Sequence, residues 1–217
     1  MTSRERVAAA LSHQEPDRVP IDIGGSATTG IMVTAYAKLR ERLGADPGPP
    51  KVIEILQMLG DVEFPVLEKL GCDVVPLHLP VGFFGIPYRE WKPWRTFEGV
   101  EVLVPGQFNP VADENGDLLL SPGGNPTKRP RGRMPHKGYY FDIIPYQEPI
   151  DWDHLDPEDF AEQFGPLDDL SLECLRTTSE HLHKQTDFAI LGSFGGGGLG
   201  DMPFVLASEM ESPRGIR

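Results

Sequence analysis

Residues 2–25 read TSRERVAAALSHQEPDRVPIDIGG. Thr2 followed by Glu5 has the spacing of a capping box, Val7, Ala8, Ala10 and Leu11 supply an apolar stripe, and Pro16 forbids further helix. The pattern predicts a helix of about three turns. The two prolines of PDRVP at 16–20 then hold the chain extended. Ile21, Asp22 and Ile23 read as an apolar strand entering Gly24 and Gly25, where the backbone can turn sharply, so Asp22 is expected at a strand end.

Working outward, residues 29–43 carry Ile31, Val33, Tyr36, Leu39 and Leu43 near helical spacing, with Gly44 to end them. Residues 53–70 give a second helical pattern that Pro65 breaks into a kinked helix or two shorter ones, closed by Gly71. Residues 72–79 are apolar on both faces apart from Asp73 and His78, as in a covered parallel strand. From 81 to 149 the pattern changes to short strands, at 96–104, 107–112 and 118–120, with Asn115-Gly116 as a hairpin turn. A helical face built on Leu170, Leu172, Cys174, Leu175 and Leu182 follows, then a strand at 188–191, a glycine run and the start of a helix at 203–210.

The chain has 217 residues, enough for one domain with a sizeable core, and an apolar share of 39% fits a globular protein. Its 24 glycines and 22 prolines argue for long loops and interrupted elements. A net charge of −13 speaks against nonspecific attraction to nucleic acid or an anionic membrane. There is no apolar run of about eighteen residues and no apolar leader, so a cytoplasmic location is expected. Cys72 and Cys174 are too far apart in sequence to suggest a paired-thiol zinc site or a disulfide framework.

The opening run resembles the start of the uroporphyrinogen decarboxylase superfamily, in its broad branch of decarboxylase-like proteins and corrinoid-linked methyltransferases. LEKLGCDVVP at 67–76, EWKPW at 90–94, GYYFD at 138–142 and ILGSF at 190–194 carry the same resemblance. It implies an α/β fold: the N-terminal portion of a (β/α)8 TIM barrel, residues 1–217 forming one incomplete barrel domain and residues 81–149 a β-rich insertion within it. A whole barrel takes about 250 residues. The expectation is therefore a partial barrel with three barrel-type strands, the first at 21–23, and with open edges that favour poor solubility or a homo-oligomer.

In such a fold the substrate sits at the C-terminal ends of the strands, which draws attention to residues 22–26, 78–81 and 193 onward. Asp22 could bond an N–H-bearing substrate, or its carboxylate could satisfy the amides of the turn that follows. His78 could serve as acid or base near neutral pH, or be a hydrogen-bonded core histidine. Asp73 begins its strand and suits capping or a salt bridge better than catalysis. Gly24 and Gly25, with Gly195 and Gly196, would let backbone approach a substrate closely. Gly195, Gly197 and Gly200 fit a dinucleotide-type spacing that four successive glycines satisfy by chance. Arg129, Arg131 and Arg133, with Lys128 and Lys137, are the one basic cluster and could meet acidic substrate groups or simply balance surrounding acids. Phe83, Phe84, Tyr88, Trp91 and Trp94 could line a planar ligand or pack the insertion.

Resemblance to the decarboxylases implies a cofactor-free carboxy-lyase acting on a tetrapyrrole or a related carboxylated small molecule. In those enzymes an arginine-rich loop follows the first strand, whereas GGSATTG stands at 24–30 with no arginine before Arg40. Positive charge would have to come from Arg129, Arg131 and Arg133. The methyltransferase branch implies zinc, held by a His-x-Cys pair and a later Cys, and a corrinoid protein as partner, with the ligands expected beyond Arg217. A truncated, inactive remnant is the third expectation.

Overall fold

The computed structural model of the chain describes residues 1–45, 48–144 and 167–192. Helix α1 spans Ser3–Leu11, and its capping box is closed: the Glu5 N–H donates to Thr2 Oγ1 at 3.2 Å and the Thr2 N–H to Glu5 Oε2 at 2.8 Å. After a 3-10 turn at Ala27–Thr29 comes α2, Val33–Arg42. Strands β1, Val52–Glu54, and β2, Leu59–Gly60, form a small antiparallel hairpin. Helix α3, Phe64–Leu70, follows and ends on Gly71 at φ 66°, the left-handed cap that glycine adopts without strain. Strand β3 is Val74–Leu77.

Beyond it, β4, Lys92–Arg95, pairs antiparallel with β5, Glu101–Val104. Strands β6, Val111–Ala112, β7, Leu118–Leu120, β8, Gly132–Met134, and β9, Asp142–Ile143, form a four-stranded antiparallel meander. Helix α4, Asp169–Gln185, starts on Asp168, whose carboxylate accepts the Ser171 N–H at 2.6 Å. Strand β10, Ala189–Gly192, then pairs in parallel with β3, Ala189 facing Val74 and Gly192 facing Leu77.

This overturns the expected partial TIM barrel. Among the described strands only β3 and β10 pair in parallel, apart from an isolated parallel bridge between Lys51 and Leu103; the other sheets are small and antiparallel, and the described residues form a small β-rich structure with four α-helices rather than an α/β barrel. Two local causes are visible. The Ile21 N–H, which a barrel strand would donate to a ladder, goes to the Asp73 carboxylate at 2.8 Å, and Pro20 beside it has no N–H to give. Residues 21–23 are therefore an extended segment held at the start of β3, where the Asp73 N–H donates to the Ile21 carbonyl at 2.7 Å, and not a strand. The helix expected at 53–70 is a hairpin followed by α3, because the carboxylate of Glu54 captures the N–H groups of Leu56 and Gln57 and Met58 turns at φ 56°. Pro65 opens α3 instead of kinking a longer helix.

Two apolar clusters result. The larger joins Val33, Val52, Ile55, Met58, Phe84, Val102, Phe108 and Phe141 under the antiparallel sheets. The smaller gathers Leu67, Cys72, Val75, Leu77, Leu175, Leu182 and Phe188 around β3, β10 and α4. No helix among the described residues is long and apolar enough to cross a membrane.

Candidate functional site

Where the two clusters meet, at the C-terminal end of the β3/β10 pair, lies a cleft of about 280 Å³. Its walls come from the turn at Gly24–Gly25, from Ile53 and Glu54 of β1, from Leu59 and Gly60 of β2, from residues 76–79, from residues 81–83 and Tyr88, and from Leu191 of β10. Most of this lining is apolar. The carboxyl ends of parallel strands are a common place for ligands, because the strand ends leave a crevice there.

His78 directly follows β3, and its Nε2 is buried without a hydrogen-bond partner among the described residues. Burial lowers the imidazole below its ordinary 6.5, and the charge of Asp61 offsets this only in part, which favours the neutral ring. An unpaired buried nitrogen costs about 1–3 kcal/mol relative to a satisfied one. A ligand atom that bonded it would recover that energy.

Glu54, at the end of β1, is 9% exposed and sits on the cleft wall. Its Oε1 accepts the Leu56 N–H at 2.6 Å and its Oε2 the Gln57 N–H at 2.9 Å. Burial nevertheless pushes the carboxyl up from its usual range, the two amides and the Gln57 side chain opposing it without prevailing. Tyr88 completes the polar lining. Its phenol is pushed up by burial and further by the charge of Glu54, so it stays a neutral hydroxyl. The ring stacks on Trp91 at 6.4 Å between centroids, and its hydroxyl lies against Gly82, where a Cβ would occupy the same space.

The turn carrying Asp22 is satisfied from within. Asp22 Oδ1 accepts the Gly25 N–H at 2.8 Å, and Oδ2 accepts the Thr29 hydroxyl at 3.0 Å. The Ser26 N–H donates to Thr29 Oγ1 at 3.2 Å and the Gly24 N–H to the Thr29 carbonyl at 2.9 Å. Three successive amides are thus committed, and the turn offers no nest for an anion. Gly24, at φ 84°, lies so close to Val62 that a Cβ there would come within 2.8 Å of Val62 Cγ2. Asp22 supports the wall without lining it; Gly24, Gly25 and His78 do line the cleft.

The basic cluster is placed elsewhere. Arg129 is exposed, the backbone of Arg131 bonds Leu120 across the meander, and Arg133 pairs with Asp117 at 2.5 Å. None of the three lines the cleft, whose described walls hold no Lys or Arg. Asp73 is fully buried at the other end of β3, bonded by Arg6 and Arg18. Gly195 and Gly196, with the rest of the glycine run, lie outside the described residues. Among the described residues no group of three or more His, Cys, Asp or Glu side chains is placed to hold a metal ion, so they do not fit a zinc centre.

The sequence reading missed Glu54 because it fell inside the stretch read as helix, where an acidic residue looks like a solvated face. Tyr88 was visible only as one aromatic of several. A clue lay in Val52-Ile53-Glu54, a β-branched pair before an acid, which suits a short strand. No protein-family model, curated protein or solved structure matches the chain.

Proposed function

We propose that this chain is a decarboxylase-like lyase, akin to the uroporphyrinogen decarboxylase superfamily that its sequence resembles, acting on a small substrate with one carboxylate on a largely apolar body. The observation that carries this reading is the Nε2 of His78, buried and without a partner among the described residues, in a cleft lined chiefly by apolar groups. A tetrapyrrole fits poorly. The volume of about 280 Å³ is near the lower bound of ligand pockets, about 300 Å³, and several carboxylates would meet no Lys or Arg on the described walls. One carboxylate is a different case. Brought in by apolar contacts elsewhere on the substrate, it would lose its hydration against Leu77, Leu79 and Phe83, and loss of neutral CO₂ relieves that penalty. His78 Nε2 supplies one hydrogen bond to orient the substrate, and Gly24 and Gly25 keep the opposite wall thin.

The test is CO₂ release from a panel of small aromatic and aliphatic monocarboxylic acids, with uroporphyrinogen as the large comparison. Release from a small acid that His78→Gln abolishes supports the reading; release from uroporphyrinogen alone overturns the substrate class. Methyl transfer on a small molecule is the second reading, favoured by the absence of Lys and Arg from the described walls, since an uncharged substrate needs no counter-ion. Thiol-dependent demethylation of methylcobalamin without CO₂ release would decide for it. The described residues do not fit zinc.

A further inference from the structure

Resting on the lyase reading, we propose that Glu54 is the catalytic acid that delivers a proton to the carbon from which CO₂ departs. The residue lines the same cleft as His78 and Tyr88 and is more than nine-tenths buried. Its orientation is fixed before any ligand arrives. The Leu56 and Gln57 backbone amides hold one lone pair of each oxygen and the Gln57 side chain bonds the carboxyl as well; of its roughly four sites about one is left, for the proton. Such backbone support on a strand end is what a positioned acid requires.

The balance is simple. The bond between the substrate carbon and its carboxylate breaks, CO₂ leaves, and the electron pair stays on carbon. Glu54 gives its proton to that carbon, forming a C–H bond, and the resulting carboxylate regains a proton from water. No oxidant or reductant is consumed. Burial already favours the protonated carboxyl, while the neighbouring titratable groups of the cleft, His78 and Tyr88, are both held neutral by burial and put no cation beside it. An ionised Glu54 next to a substrate carboxylate would repel it; the protonated form does not.

The test uses the full chain, with the acid found in the panel above and with Glu54→Gln. Glu54→Gln is expected to slow CO₂ release about 100-fold or more, with KM nearly unchanged. Infrared difference spectra of the wild type should show a protonated carboxyl C=O band at working pH that Glu54→Gln removes and that titrates in step with activity. An unchanged rate in Glu54→Gln, an effect on KM alone, or no protonated carboxyl band would overturn the role. Should Glu54→Gln fail to fold, the wild-type band and its titration against the rate decide the matter. No CO₂ release from any acid overturns the lyase reading and this role with it, whereas release that survives Glu54→Gln overturns the role alone.

Discussion

Replacing Asp73 by Asn should be the most damaging isosteric change to the fold. Asp73 is 0% exposed and accepts from donors on three sides. Oδ1 takes Arg6 Nη1 at 2.6 Å and Arg18 Nη2 at 2.9 Å; Oδ2 takes Arg18 Nη1 at 2.6 Å and the Ile21 N–H at 2.8 Å. Whichever way an Asn amide is turned, its NH₂ meets an arginine donor, and the buried charge that balanced two guanidinium groups is gone. Breaking a buried ion pair costs about 3–5 kcal/mol. Arg6 retains Asp17 at 2.6 Å and the Arg18 side chain is 39% exposed, so the lower end, about 3 kcal/mol, is the better figure. At about 2–4 °C per kcal/mol for a chain of this size, the melting temperature should fall by about 6–12 °C. Calorimetry at neutral pH measures it, with Asp17→Asn, whose side chain is 44% exposed, as the milder control. Burial alone would raise the Asp73 carboxyl, but Arg18, the Ile21 amide, Ser3 and Arg6 outweigh it and hold it below its ordinary 3.8. Its contribution is therefore complete above that value and lost as pH falls below it. An Asp73→Asn melting temperature within about 2 °C of wild type, less than about 1 kcal/mol, would mean that the Asp73 ion cluster does not hold the fold together.

Other changes probe the cleft. His78→Leu removes an unpaired buried nitrogen and should raise stability by about 1 kcal/mol while abolishing ligand binding, read by calorimetry and titration with the panel acid. Because the folded His78 is depressed below 6.5, stability should decline as pH falls through that value, and His78→Leu should remove this slope from melting curves. Glu54 acts in the opposite sense: its folded value lies above the ordinary 4.5, so the wild type should lose stability as pH rises through the window above 4.5, and Glu54→Gln should flatten that decline. Gly82→Ala places a methyl where the Tyr88 hydroxyl stands; it should cost about 1–3 kcal/mol and alter the fluorescence of Trp91, against which Tyr88 stacks.

Local signals were legible where they concerned a few adjacent residues. Thr2 and Glu5 announced α1 and Gly71 announced the end of α3; of the face read for α4, Leu175 and Leu182 are buried whereas Leu170 and Leu172 are exposed. Misreadings arose where a side chain redirected backbone hydrogen bonds. Periodicity cannot show that Asp73 will take the Ile21 N–H, or that Glu54 will take those of Leu56 and Gln57, and these captures turn an expected strand and an expected helix into other shapes. His78, Gly24 and Gly25 could be named in advance because strand ends and glycine turns are visible in sequence; Glu54 could not, since its burial depends on residues brought from 76–83 and 191. The arginines of 129–133 misled because charge density in a sequence carries no address in space.

The parallel pairing of β3 with β10 also sets apart local from distant closure. The hairpin of β1 and β2, the β4/β5 pair and the meander each pair strands that are near in sequence. Val74 pairs with Ala189, and the cleft has no Leu191 wall without that strand. The Leu191 wall thus depends on a contact between residues far apart in sequence, whose closure carries more loop entropy than that of the local hairpins.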